Sequence, residues 1–207
     1  MRLSSLALVL SVLGGALAQD TSLVEVKRAF DDALIPGNIS LSFDPKALLE
    51  VTFPQPAGRP IILKAGVQLP RNATAGPPTF SVVGSVGRGP FVVAAVDLDA
   101  PTPQIRTSAQ IRHFLGGNFV FESIRTPLLL TNTTPALSEF RQPTPPAGSD
   151  PHRYVFLLFE QSRAFNTQTL VNSTTSIAMF SIGNFAKAVG LGQPIGGTFM
   201  LVGPPPA

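Results

Sequence analysis

Two short stretches, FVVAAV (91–96) and YVFLLF (154–159), present apolar side chains in both directions. Successive side chains of a strand point to opposite faces, so strands of this kind must be covered on both sides. A chain holding two of them folds around a sheet with layers above and below it. Other segments read as strands too: LLEVTF (48–53), RPIIL (59–63), TFSVV (79–83), NFVFES (118–123) and GTFMLV (197–202). Pro, Gly and Asn clusters bound them.

Two helices accompany the strands. Ser22 and Glu25 form a capping box ahead of Leu23, Val26, Phe30, Ala33 and Leu34 on one face, and Pro36-Gly37 stops that helix. FSIGNFAKAVG (180–190) carries Phe180, Phe185, Ala186 and Val189 on its apolar face, with Gly190 as the C-terminal cap. Residues 125–152 read as mostly a long connection heavy in proline. With no internal repeat and no domain boundary, residues 19–207 form a single mainly β domain.

The first eighteen residues are excluded from that domain. Arg2, an apolar run through Leu13 and Ala16-Leu17-Ala18 ahead of Gln19 have the three-part layout of a secretory signal peptide. The apolar run is shorter than the roughly 20 residues a membrane anchor requires, and no later stretch is long and apolar enough to serve as one. A secreted protein, in the secretory pathway or outside the cell, is therefore expected. Four of the seven asparagines lie in N-x-[ST] sequons, Asn38, Asn72, Asn132 and Asn172, which are expected to carry glycans on surface loops.

The chain has no cysteine, so burial alone must hold the domain together. Its net charge of +3 falls by one when Arg2 leaves with the leader. No basic run and no interleaved aromatic stripe is present, which excludes nucleic acid as the expected partner.

The chemistry concentrates at three strand ends. Asp97 and Asp99 follow FVVAAV, and at spacing i, i+2 an extended chain would turn both carboxylates to one side. His113 opens the apolar run HFLGGNFVF, and His152 opens RYVFLLF. These are the only histidines in the chain, and their positions suggest one shared pocket. A metal reading of two His and two Asp lacks the usual His spacing, so neither a metal nor any other cofactor is expected. There is no Ser-His-Asp order, nucleophile elbow or phosphate-binding glycine loop to mark a hydrolase or NTPase.

DLDAP (97–101) followed by RHFLGGN (112–118), together with DPHRYVFLLFEQ (150–161), resembles the two motifs of the phosphatidylethanolamine-binding proteins. Weaker likeness extends through LIPGNISLSFDPKALLEVTFP (34–54) and FSIGNFAKAVGLGQPIGGTFM (180–200). The resemblance implies a large central β-sheet flanked by a smaller one, with a few short helices and a small anion pocket at one edge. Carried over by position, the ligand-binding residues would be Asp97, Asp99, Pro101, His113, His152 and Tyr154; Arg112, standing where the family often has another His, would either add a forked donor for the anion or lie in solvent. His113 and His152 would be the candidates for any catalytic role.

Carboxylates would orient the imidazoles, and the imidazoles would face phosphate, a phospholipid head group or a dicarboxylate, binding modestly and with pH dependence. Leu98, Arg112, Asp150 and Pro151 depart from the family pattern, and the short segment after Val202 leads to an expected pocket open on that side. Two other roles found in the family remain alongside small-anion binding. One is assistance in dimerising maleic-anhydride monomers in fungal polyketide pathways, as in maleidride biosynthesis; the other is inhibition of a serine carboxypeptidase, which would make a protein the partner.

Overall fold

The computed structural model describes residues 19–122 and 127–205, so the expected leader at 1–18 lies outside the described residues. Helix α1 (Leu23–Asp32) is capped by Ser22, whose hydroxyl accepts the Glu25 N–H. α1 ends at Asp32, capped by Ala33, ahead of Pro36 and Gly37; those two residues lie instead in the first turn of a second helix, α2 (Ile35–Ile39), for which proline is pre-set. Helix α3 (Ile182–Val189) closes on Gly190 in the left-handed region, φ +69.

Nine strands make the rest: β1 (Ala47–Phe53), β2 (Ile61–Ile62), β3 (Val67–Leu69), β4 (Thr79–Gly84), β5 (Phe91–Asp97), β6 (Ile111–Phe121), β7 (Leu128–Asn132), β8 (His152–Glu160) and β9 (Gly196–Val202). They form one ladder in the order β2-β1-β4-β7-β6-β5-β8-β9-β3. Its pairs are antiparallel except β3 with β9. The mainly β class read from the sequence is the class observed. The larger and smaller sheets are limbs of this single ladder, which curls until the start of β1 meets the approach to β9. There the N–H groups of Lys46 and Ala47 both donate to the Ile195 carbonyl, at 2.8 and 3.1 Å.

β5 and β8 sit side by side near the middle of the ladder and are covered on both faces. Val92, Ala94, Val96, Val155, Leu157 and Phe159 meet the three helices through Val26, Phe30, Ile39, Ile182, Phe185 and Val189. Val93, Ala95, Phe156 and Leu158 face the inside of the curl, against Leu49, Val51 and Phe53 of β1 and Phe80 of β4. Alternate residues thus serve two cores, which is why neither strand shows a polar face.

Three features depart from the sequence reading. The segment 125–152 contains β7, joined to β4 and β6. β6 begins at Ile111, seven residues ahead of the strand read at 118–123. The sequons are not all in loops: Asn38 lies in α2, Asn72 in a short 3-10 turn (Arg71–Thr74) and Asn132 at the end of β7.

Candidate functional site

β6, β5 and β8 are neighbours, and register places Asp97 across from both Ile111 and Tyr154. The loop ahead of β8 folds over this corner. A cavity of about 640 Å³ results, with Asp97, Pro101, His113, Arg141, His152 and Tyr154 among its lining residues.

Asp97 is buried and uses both oxygens. Oδ2 lies 2.9 Å from His152 Nδ1, and Oδ1 accepts the Asp99 N–H at 2.8 Å. The second bond turns the chain out of the extended form just after β5. Asp99 therefore does not point where i, i+2 spacing would send it. It accepts from the Arg153 backbone N–H at 2.8 Å, from Arg153 Nε at 2.9 Å and Nη2 at 2.6 Å, and it pairs with Arg106 at 3.0 Å. Burial would raise its pKa, but the bonds and charges of Arg153 and then Arg106 outweigh burial and hold it below the usual range. Asp99 ties the loop to β8 and does not line the cavity.

His113 reaches the cavity through an irregularity in β6. Ala95 pairs with Phe114, but the next residue of β5, Val96, pairs with Arg112. His113 is the extra residue of a β-bulge, a device that re-aims a side chain. Its Nδ1 lies 2.8 Å from the Arg141 carbonyl, so a neutral ring donates there and leaves Nε2 for the cavity. Burial lowers its pKa from 6.5, against the opposite pull of the Arg141 carbonyl and Asp97, so the ring is neutral at pH 7. Only His152 is oriented by a carboxylate; a backbone carbonyl orients His113.

The same bulge turns Arg112 away from the cavity. Its guanidinium is 1% exposed and donates to Ser138 Oγ at 2.6 Å and to the carbonyls of Ser176 and Thr175 at 3.2 and 3.0 Å. It also stands 5.1 Å from the centre of the Phe180 ring. Arg112 is therefore a clamp on the chain around residues 138 and 175–176, buried and outside the lining of the cavity.

Tyr154 lies between the two histidines, its ring centre 5.0 Å from that of His113 and 6.3 Å from that of His152. Burial, and then the neighbouring Asp97 charge, push its phenol far above the ordinary value, so it remains a neutral hydroxyl. The residue that sequence reasoning missed is Arg141, the one permanent cation among the described residues of the cavity wall. Gln142 and Thr144 come with it from the same loop. The RQPTPP run just ahead of His152 was the available signal, since a stiff proline-rich loop beside a candidate ligand group is placed to wall it in.

In fold the chain is similar to a carboxypeptidase Y inhibitor solved in complex with its cognate proteinase. The two are 22% identical over 88% of this chain and 96% of that one, with a TM-score of 0.72. It is also similar to phosphatidylethanolamine-binding proteins from Plasmodium vivax (12% identity, 86% and 97% covered, TM-score 0.67) and Plasmodium falciparum (18%, 88% and 97%, 0.60). A family model described as phosphatidylethanolamine-binding protein matches residues 59–200, more than half of the chain and all three strands that frame the cavity, and the chain belongs to that family.

Proposed function

We propose that this protein is a secreted binding module that takes a small anion into the cavity at the ends of β5, β6 and β8. The observation that carries the reading is the lining: two imidazoles, a neutral phenol and one permanent cation around a space of about 640 Å³. Arg141 supplies charge and forked donors suited to phosphate or carboxylate. Tyr154 and protonated His113 supply further donors, while Asp97 spends its charge on His152. Phosphate, a phospholipid head group and a dicarboxylate share the required chemistry, and the dicarboxylate arm also serves the maleidride-type reading.

His113 sets the pH response. Its ring is neutral at pH 7, and an anion at Nε2 favours the protonated form, so binding takes up a proton. Affinity should therefore rise as pH falls from 8 towards 6 and below. Calorimetry with phosphate, phosphoethanolamine and a 2,3-dialkylmaleate dianion, the ring-opened anhydride, at both pH values tests this. Arg141→Ala is expected to weaken binding at least tenfold at either pH, and His113→Ala to remove the pH dependence. No heat from the folded protein with any ligand would refute the reading.

Inhibition of a serine carboxypeptidase is the second reading, supported by likeness to the carboxypeptidase Y inhibitor over nearly the full length of both chains. Titration of carboxypeptidase Y with the protein decides it. A stoichiometric loss of peptidase activity would support inhibition, and full activity at a large molar excess would exclude this target.

A further inference from the structure

We infer that Ser149, His152 and Asp97 form an acyl-transfer triad, with Ser149 as a nucleophile towards small carboxylic esters. His152 Nδ1 lies 2.9 Å from Asp97 Oδ2, and His152 Nε2 lies 2.9 Å from Ser149 Oγ. Asp97 is fixed in turn by the Asp99 N–H. This gives a nucleophile, a base and an orienting carboxylate in unbroken contact, and such triads are recognised by geometry and role rather than by chain order. The order here is Asp97, Ser149, His152, with the serine only three residues ahead of the histidine, which is why no hydrolase motif shows in the sequence.

The surroundings fit the roles. His152 and Asp97 are 1% and 3% exposed, so the base and its carboxylate are shielded from water, whereas Ser149 is only half-buried and stands on a turn. The Ser149 N–H donates to the Pro146 carbonyl at 3.2 Å, and Gly148 takes the left-handed conformation, φ +79, that this turn uses. Pro146 and His152 both line the described cavity, so the turn forms its lip.

The serine hydroxyl has one proton and two acceptors within reach, His152 Nε2 and the Asp150 carbonyl at 2.8 Å. With His152 neutral and its Nδ1–H given to Asp97, Nε2 takes that proton. With His152 protonated, Nε2–H donates to Oγ and the hydroxyl turns to Asp150. Both proton positions of a general base are thus accommodated without moving a heavy atom.

The step balances as follows. Ser149 Oγ forms a bond to the acyl carbon while its proton passes to His152 Nε2. The ester C–O bond then breaks, and the departing alkoxide takes the proton from His152 and leaves as the alcohol. Water repeats the sequence on the acyl-serine, giving a carboxylic acid and free Ser149. Asp97 holds the imidazolium through Nδ1–H and gains no proton. Arg141, as the wall's permanent cation, is the group available to the oxyanion.

The test uses a fluorophosphonate, which loses fluoride as Ser149 Oγ bonds to phosphorus, with intact mass and peptide mapping as the readout. One adduct is expected on Ser149 of the mature protein, absent in Ser149→Ala and formed at least tenfold more slowly in Asp97→Asn. Because the chain has no cysteine, Ser149→Cys gives an independent measure that does not require Asp97→Asn to fold. Its thiol should be alkylated by iodoacetamide at pH 7 at least tenfold faster than a free thiol, since His152 would hold it as thiolate. Absence of the Ser149 adduct, or alkylation no faster than a free thiol, would make the serine a structural hydrogen-bond partner of His152 and overturn the proposal. Phosphate binding is measured in parallel on the unsubstituted protein: binding without a Ser149 adduct sinks the triad alone, and an adduct without binding sinks the anion reading alone.

Discussion

Arg112 and His113 are adjacent, yet one is buried in a clamp and the other lines the cavity. Sequence reasoning placed both among the ligand-binding candidates because their spacing gave no ground for separating them. Residue spacing carries the identity of side chains but not the bulge that decides their direction. The same limit applied to Asp99, whose direction is set by an Asx-type bond from the neighbouring carboxylate. Asp97, His113 and His152 drew notice as titratable residues at the ends of apolar strands, whereas Pro101 and Tyr154 entered only through the family resemblance; all five line the cavity. Loss of the clamp has a definite cost. Arg112→Leu would leave the Thr175 and Ser176 carbonyls without their donor, at a cost of roughly 2–4 kcal/mol. Urea denaturation should show that loss, while phosphate affinity at Arg141 stays within a factor of a few.

Among the elements, those with a strong local signal were found within a residue or two: α1, α3, β1, β4, β5, β8 and β9. β7 and β3 were not recognised. Leu128–Asn132 sits within a stretch dominated by proline, and its pairing to β4 and β6 is entirely non-local. Val67–Leu69 is three residues long and pairs in parallel with the distant β9. Such strands are made by their partners, so one-dimensional pattern has little to report. Helix α3 offers a test of packing against propensity. A Cβ at Gly183 would stand 2.4 Å from the Ile39 carbonyl oxygen of α2, a backbone atom with little room to move. Gly183→Ala gains up to about 1 kcal/mol of helix propensity, but overpacking costs about 1–3 kcal/mol. The packing term should win, and the thermal midpoint should fall by several degrees.

At the scale of the whole molecule, composition announced a two-sided sheet and the structure adds how it closes. One ladder curls so that its limbs share a core, where the family resemblance had implied only a large sheet flanked by a smaller one. Pairing between distant segments leaves no periodic trace. Passage through the secretory route, as proposed, makes a further prediction about the surface. Asn72, Asn132 and Asn172 are exposed. Asn38 is half-buried, its Nδ2 donates to the Leu34 carbonyl and its Oδ1 accepts from Arg106 at 2.8 Å. Protein from a eukaryotic secretory host should therefore lose three N-glycans on enzymatic deglycosylation, with Asn38 unmodified in peptide maps.

The cavity has two parts of different origin. Asp97, His113, His152 and Tyr154 belong to strands β5, β6 and β8, which lie side by side within the ladder. Arg141, Gln142, Thr144 and Pro146 come from one connecting segment, which also carries Ser149. The floor is built into the sheet, whereas the wall is tied to it at separate points, among them the bonds between Arg141 and His113 and from Gln142 to the Arg71 carbonyl. Drift in that segment can change what is bound, or whether anything reacts, without disturbing the fold. Grafting the corresponding loop from another member onto this floor is accordingly a direct way to exchange ligand preference between two proteins of one fold.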